Sequence, residues 1–381
     1  MECLYIGGDC MRIGLLGFGG MGRTHAYAVA NLPFFYRDLP FAAHIHGVCT
    51  KNPENARAAA QTYGFSVAAQ NEDELIASPD IDVIDICTPN IYHYETLKKA
   101  LRAKKHVYCE KPLCVTEEQA WEMARLADEM GVTAGVVFNN RFLLPIMRAK
   151  ELIDNGRLGR IISFRGAYYH SSAADTAKPA GWKQNRDICG GGVLFDLGSH
   201  IIDLIYHLCG AFDSVFGVSR IVYPIRTGAD GREWHTNAEE AFYLTACLKN
   251  GATGTIECGK IFTGTNDDLC FEIYGTDGAL RFSLMEPNWL YFYDTHAPET
   301  GFTRVECCGR YPAPGGVFPG IKAPVGWLRG HVGSMYAFLN AVYRGMPACP
   351  SLTDAAHVQS VMAAAYRSDA SGRMEQVIGH E

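Results

Sequence analysis

The sequence has no run that approaches the ~18 consecutive apolar residues of a membrane span, and its first residues carry no basic-then-apolar export signal. It has no block of lysine and arginine either. The formal net charge is −7, which makes nucleic acid and anionic membrane surfaces poor partners. Metal and redox spacings are missing too. None of the 14 cysteines forms a C-x-x-C pair, and none of the 13 histidines forms an H-x-x-x-H or H-E-x-x-H pattern. His44 and His46 fall on one face of a strand, but two ligands do not make a site. Several cysteines (Cys49, Cys87, Cys109, Cys247) sit in apolar runs, where a free thiol packs as a small hydrophobe. There is no internal repeat and no low-complexity segment. These absences predict a reduced, cytoplasmic, metal-free protein that meets neither membrane nor nucleic acid.

What is present is an ordinary globular composition, 381 residues at 48% hydrophobic and 20% charged, enough for about two domains. The chain is organised around Arg12-Ile-Gly-Leu-Leu-Gly17-Phe-Gly19-Gly-Met-Gly22-Arg23. A short apolar run that reads as a buried strand breaks into Gly17-x-Gly19-x-x-Gly22, and a helix-like stretch from Thr24 follows. In such a loop the first glycine makes the tight turn. The second lets backbone N–H groups approach a pyrophosphate, and the third lets helix and strand pack closely. A plain tight turn would use the same residues, so the context has to decide. Residues 1–10 precede the first strand and read as a loosely ordered leader, with Met11 as an alternative start.

That context is an alternation of strand and helix from Arg12 to about Gly135. Strands are expected at Ala43–Cys49, Asp82–Cys87, His106–Cys109 and Thr133–Phe138, with helices at Asn52–Ala60, Tyr94–Ala103 and Thr116–Met130. This predicts a Rossmann-type α/β domain over 11–138, a doubly wound parallel sheet with ligands at the carboxyl ends of its strands. From Asn139 the texture changes. A helix over Leu144–Asn155 leads to extended runs at Arg160–Tyr169, Phe216–Val222, Ala241–Leu248, Thr253–Cys258, Leu269–Tyr274, Ala279–Ser283 and Trp289–Tyr293, with helices at His331–Arg344 and Thr353–Ser368. A mostly antiparallel α+β domain, an open sheet, is therefore expected over 139–381.

Three constellations carry chemistry. Thr88-Pro-Asn90-x-x-His93 closes a buried strand, and Asn90 and His93 are placed to hydrogen-bond a cofactor, although Asn after Pro is also an ordinary turn. Glu110-Lys111-Pro112 follows another strand. A lysine there would lie beside an oxidised nicotinamide, whose charge, with partial burial, favours the neutral amine and suits it to handle a hydroxyl proton. Gly190-Gly-Gly-Val-Leu-Phe-Asp196-Leu-Gly-Ser-His200-Ile-Ile-Asp203 opens a helix near a ligand. Asp196 and His200 share a helical face at this spacing, as does Asp203, and a carboxylate beside an imidazole makes a base near neutral pH. A structural pair at a helix start would look the same.

Together these motifs resemble the Gfo/Idh/MocA family of oxidoreductases. The likeness rests on Gly17–Gly22, Thr88-Pro-Asn90-x-x-His93, Glu110-Lys-Pro112 and Gly190-Gly-Gly-x-x-x-Asp196-x-Gly-x-His200. Asn139-Asn-Arg-Phe142, Trp182-Lys183 and Gly275-Thr-x-Gly278 add to it, and it runs from Arg12 nearly to the C-terminus. It implies an NAD-dependent enzyme acting on a secondary hydroxyl of a sugar, cyclitol or glycoside, and a homodimer or homotetramer formed through the second-domain sheet. It assigns catalysis to Lys111 and His200, with Asp196 orienting His200. The cofactor would meet Gly17, Phe18, Gly19, Gly20, Met21, Gly22, Thr50, Lys51, Thr88, Asn90, His93, Glu110 and Lys111. Arg141, Tyr168, Trp182, Lys183, Asp196, His200 and His331 are candidate substrate contacts.

Two departures from the pattern matter. Lys183 stands where the family usually has arginine, so bidentate contact is lost there. Thr50-Lys51 stands where an acidic residue would hold an NAD ribose, and Lys51 suits a 2′-phosphate, which keeps NADP open beside NAD. A net sugar dehydrogenase leads. A redox-neutral glycosidase that oxidises a hydroxyl only transiently is second, with the stretch Tyr291–Trp327 read as an added loop over the substrate. A non-catalytic sensor is third, because Lys111, Asp196 and His200 are all retained.

Overall fold

The computed structural model describes residues 10–308, 313–315, 318 and 326–379. The expected leader falls outside them except for Cys10, which opens the first strand, and the expected loop Tyr291–Trp327 lies partly outside them.

The chain forms two compact units. The first holds β1 (Cys10–Leu16), β2 (Ala42–Cys49), β3 (Val67–Ala69), β4 (Val83–Ile86), β5 (His106–Cys109) and β6 (Ala134–Val136) in one sheet of order β3-β2-β1-β4-β5-β6, every pair parallel. Helices lie between consecutive strands, which parallel pairing requires. Ile13, Leu15, Leu16, Val83, Ile84 and Ile86 are all buried, because a sheet covered on both faces needs apolar residues at consecutive positions. The strand order reverses beside β1, so the carboxyl ends of β1 and β4 flank the crevice where ligands of such sheets bind. The helix Pro53–Tyr63 shows how locally the elements are specified. Asn52 caps it through the Glu54 N–H, proline takes its first position, and Gly64 ends it at φ +74°. The strand β3 and the helix Glu72–Ala77 were not expected; three and six residues are too short for a periodic signal.

The domain boundary needs correcting. The second domain was expected to take everything from 139, yet Asn139–Phe142 and the described part of 309–355 group with the first unit. The helix Trp327–Arg344 supplies the reason. Its Val332, Met335, Phe338 and Leu339 are buried in one cluster with Leu15, Val29, Leu32 and Phe41. Tyr336 stacks on Tyr36 with centroids 3.9 Å apart, and Phe338 on Tyr108 at 4.7 Å.

The second unit is built on a nine-stranded sheet of order β16-β15-β14-β13-β7-β12-β11-β8-β17. Its members are β7 (Ile161–His170), β8 (Phe212–Arg220), β11 (Ala241–Leu248), β12 (Thr253–Gly259), β13 (Asp267–Gly275), β14 (Gly278–Ser283), β15 (Trp289–Asp294), β16 (Phe302–Glu306) and β17 (Glu375–Gln376). A separate hairpin joins β9 (Ile225–Thr227) to β10 (Glu233–His235). Pairing is antiparallel as expected, except that β7 and β12 run parallel. The helix Ser199–Cys209 packs on β7, where Gly166 permits the approach: a Cβ there would stand 2.7 Å from Ile201. By length and mean hydropathy the stretch Arg186–Cys209, which Gly190 divides, could cross a membrane, although it contains no uninterrupted apolar run of that length. It is mostly buried inside the unit and is spent on the protein core.

If the helix Trp327–Arg344 completes the first core, Leu339→Ala should cost about 2–5 kcal/mol of stability, as large-to-small core changes do. Urea unfolding would measure it. A fragment ending at Phe138 should show no cooperative melt; a sharp, reversible transition would restore the boundary read from sequence.

Candidate active site

In the first unit each glycine of the loop has a distinct task. Gly17 adopts φ +94°, donates its N–H to the Cys49 carbonyl at 2.8 Å, and backs onto Cys87, whose carbonyl a Cβ would approach to 2.6 Å. A Cβ on Gly22 would press on the Gly17 carbonyl. Gly19 and Gly20 instead face open space, with nothing within 4 Å of a built Cβ. The helix Gly20–Phe35 starts there with no side-chain cap, so its first N–H groups point into that space. Open space over uncapped N–H groups fits a dinucleotide pyrophosphate. Met21 follows on the first helical turn. Phe18 turns away into an aromatic cluster, edge-on to Tyr63 at 5.3 Å and Phe65 at 5.8 Å. At the end of β2, the Thr50 hydroxyl is used by the Asn52 carbonyl at 2.7 Å, while Lys51 is exposed.

His93 is a correction. It was expected to face the cofactor, but it is fully buried, with Nε2 2.8 Å from the Thr88 carbonyl and Nδ1 3.0 Å from the Pro112 carbonyl. Burial lowers its pKa and keeps it neutral, so one N–H serves the two carbonyls in turn. The ring ties the end of β4 to the Lys111–Pro112 turn, whose peptide bond is cis. Asn90 is buried beside it. Arg141 is likewise not presented for a substrate: it is 5% exposed and pairs with Asp354 at 3.5 Å.

Behind Lys111 lies a group that the sequence reading missed. His25 sits between two buried carboxylates, Nδ1 2.9 Å from Asp85 and Nε2 3.2 Å from Glu110. Burial opposes its charge, but Asp85 and Cys87 override this and hold its pKa well above the usual value. Burial likewise works against Glu110, yet the hydrogen bond and charge of His25 hold it below the usual carboxylate range. Glu110 also accepts the backbone N–H of Lys111 at 3.2 Å, which links the triad to the candidate catalytic turn. Asp85, His25 and Cys87 have metal-ligand chemistry, but His25 Nδ1 already bonds both oxygens of Asp85. Beyond them His331 is buried, 4.2 Å from the Trp327 ring, with neither nitrogen hydrogen-bonded among the described residues. Burial, then the charge of His25, pushes its pKa down to about 3.

The second unit gathers the other motif. Gly190, at φ +81°, ends a short helix, and the glycine loop then meets the buried Glu239. The Glu239 carboxylate accepts the N–H groups of Gly192 (2.9 Å) and Leu194 (3.1 Å) and the Tyr366 hydroxyl (2.8 Å). It caps the helical segment that carries the candidate residues. A π-helical turn, Leu194–Gly198, precedes the α-helix from Ser199, so Asp196 and His200 do not lie on one continuous α-helical face as expected. Asp196 instead meets two ammonium groups, Lys183 at 2.8 Å and Lys260 at 3.0 Å. His200 lies edge-on to Tyr168 at 5.8 Å, and the Tyr168 hydroxyl bonds Asp267, which also takes His170 at 2.7 Å. Trp182 is 40% exposed, with the Lys183 ammonium 5.8 Å from its ring. Asp203 is buried. Thus Tyr168, Trp182, Lys183, Asp196 and His200 occupy one region of this unit.

Comparison with known proteins agrees with this architecture. Residues 11–138 match the model of the oxidoreductase family with an NAD-binding Rossmann fold, and residues 146–281 match the Gfo/Idh/MocA C-terminal domain. Levoglucosan dehydrogenase of Pseudarthrobacter phenanthrenivorans is 31% identical over 90% of this chain and 92% of its own. Its solved complex with NADH and levoglucosan superposes with a TM-score of 0.93 at 30% identity, covering 97% of this chain and 100% of that one. Glucose-6-phosphate 3-dehydrogenase of Bacillus subtilis is 25% identical over 95% of this chain and 97% of its own. A 2,7-anhydro-N-acetylneuraminate hydratase of Escherichia coli is 26% identical over 68% of each. The chain belongs to the Gfo/Idh/MocA family and is an NAD-dependent oxidoreductase.

Three outcomes follow from this geometry. Gly17→Ala should lower stability by about 1–2 kcal/mol, because only glycine tolerates its φ and its closeness to Cys87. Gly19→Ala should leave stability within about 0.5 kcal/mol yet weaken NADH binding, because its methyl group enters the open space; melting curves and NADH fluorescence titration separate the two. His331 stays neutral when folded and takes a proton below about pH 6.5 when unfolded. Its contribution to stability is therefore complete above pH 6.5 and is lost as pH falls toward 3. The melting temperature of His331→Phe should fall less steeply than that of the wild type across that window.

Proposed function

We propose that this enzyme oxidises or reduces a secondary hydroxyl of a pyranose-like sugar, cyclitol or glycoside. The observation that carries the proposal is the likeness to levoglucosan dehydrogenase over nine-tenths of both chains. NAD, once bound, supplies the hydride acceptor or donor. The loop Gly17–Gly22 and the helix after it would hold its pyrophosphate, and Thr50 and Lys51 flank its ribose, so a 2′-phosphate is tolerated as well. Lys111, on a turn fixed by Glu110 and His93, holds the substrate hydroxyl. His200 takes the hydroxyl proton in the oxidative direction and returns it in reduction. Asp196, fixed by its lysines, places Lys183 and the adjoining helix for the sugar. Trp182 and Tyr168 offer an aromatic face and a hydroxyl. In this reading the enzyme works in the reducing cytoplasm, where thiols stay reduced. It assembles through the nine-stranded sheet as a homodimer or homotetramer.

The second reading is the redox-neutral glycosidase, in which a hydroxyl is oxidised only transiently and elimination and hydration regenerate NAD; the likeness to the anhydro-sugar hydratase gives it weak support. A panel of pyranoses, anhydro-sugars, cyclitols and aryl glycosides with NAD or NADP decides between them. Reduced nicotinamide growing in proportion to substrate consumed, with no aglycone released, is the expected result. Product formed with no net reduced nicotinamide would replace the first reading by the second. Lys111→Ala should lower kcat by at least about 10²-fold, the scale of a lost proton-transfer group, while NADH still binds.

A further inference from the structure

Asp196 carries two lysines of opposite character. The side chain of Lys183 is 48% exposed, on a single-turn helix (Trp182–Gln184) beside the exposed Trp182. That of Lys260 is 9% exposed, and it stands one residue beyond β12. The backbone of Lys260 is pinned on both sides, its N–H donating to the Glu240 carbonyl at 2.9 Å and its carbonyl accepting the Ala173 N–H at 2.8 Å. Its ammonium also acts electrostatically on the buried Glu239, the carboxylate that caps the glycine loop. One cation is therefore fixed between the cap of the π-turn and the carboxylate carried on it, while the other reaches Asp196 from the open side.

A carboxylate held by one exposed lysine would lose its partner whenever that lysine turned to a substrate. A partly buried anion (20% exposed) left alone pays for its desolvation. With a second, immobile ammonium behind it, Asp196 stays compensated whether Lys183 is on it or not. We propose that Lys260 is a positioning residue: it anchors Asp196 and the π-turn leading to His200, which frees Lys183 to exchange between Asp196 and a hydroxyl or anionic substituent of the sugar. The proposal rests on the reading of this region as the substrate site. It assigns the two lysines different kinetic signatures, although both contact the same carboxylate.

The test compares Lys183→Met, Lys260→Met and Lys260→Arg as full-length enzymes, each first checked for NADH binding by fluorescence. Lys183→Met should raise KM for the sugar about tenfold with kcat nearly unchanged, as loss of uniform binding does. Lys260→Met should lower kcat by on the order of 10²-fold with KM little changed, the scale of a misplaced reacting group. Lys260→Arg, which keeps the charge, should restore most of the rate. Wild-type kcat in Lys260→Met, or a pure KM effect like that of Lys183→Met, would overturn the proposal, and so would a rate in Lys260→Arg as low as that in Lys260→Met. If Lys260→Met does not fold, Lys260→Gln takes its place, with the same expectation. The sugar panel run on wild type judges the proposed function by itself. A substrate-free measurement judges the anchor: melting temperatures of single and double variants with Asp196→Asn should show strong non-additivity for Lys260 and little for Lys183. Equal coupling for both lysines would also overturn it.

Discussion

Carboxylates buried at the ends of secondary structure govern how both units are built, since an ionised oxygen removed from water must be met by a cation or by N–H groups. In the first unit, Asp85 near the carboxyl end of β4 and Glu110 just beyond β5 share one imidazolium, His25. That arrangement ties the turn bearing Lys111 to the sheet through its backbone N–H, which Glu110 accepts. In the second unit, Glu239 is met by backbone N–H groups and a tyrosine, and Asp196 by two lysines. A third case, Glu240, pairs with Arg226 at 2.5 Å and accepts the N–H groups of Val222 and Tyr223. In each case the chain near a candidate functional residue is held by a compensated charge, a restraint that is directional where apolar packing is not.

The parts of this arrangement that were legible in the sequence are those in which function and backbone conformation coincide locally. The glycine loop could be read because Gly17 and Gly22 are required by a φ value and a close approach between neighbours in the chain. The six parallel strands could be read, apart from β3, because burial on both faces imposes uninterrupted apolar runs. Lys260 left no such trace: it enters the site only because β12 pairs in parallel with β7, a register set by residues about 90 positions apart. His25 was passed over because its partners, 60 and 85 residues away, meet it only after the sheet is assembled. The π-turn was misread as plain α-helix, since the spacing of Asp196 and His200 is the same in either. The return of Trp327–Arg344 to the first core was missed for a similar reason, as an amphipathic helix does not name the surface that it covers.

The parallel contact of β7 with β12 also has a consequence for how the chain becomes a sheet. On one side stand β12, β11, β8 and β17, on the other the meander β13 to β16, and β7 is the seam between them, bonded to β12 on one edge and β13 on the other. Yet β7 is made before any of its neighbours. As the chain leaves the ribosome, neither edge of Ile161–His170 has a partner until residues 253–275 have followed it. A strand with Phe164 and paired tyrosines must therefore wait, bare on two sides, through roughly a hundred residues of synthesis at about 5–20 residues per second. The hairpins β11–β12 and β13–β14 can pair through short turns, but the two sides of the sheet join only across the oldest strand. The order of translation thus leaves β7, although made first, unpaired on both edges until β12 and β13 have followed it.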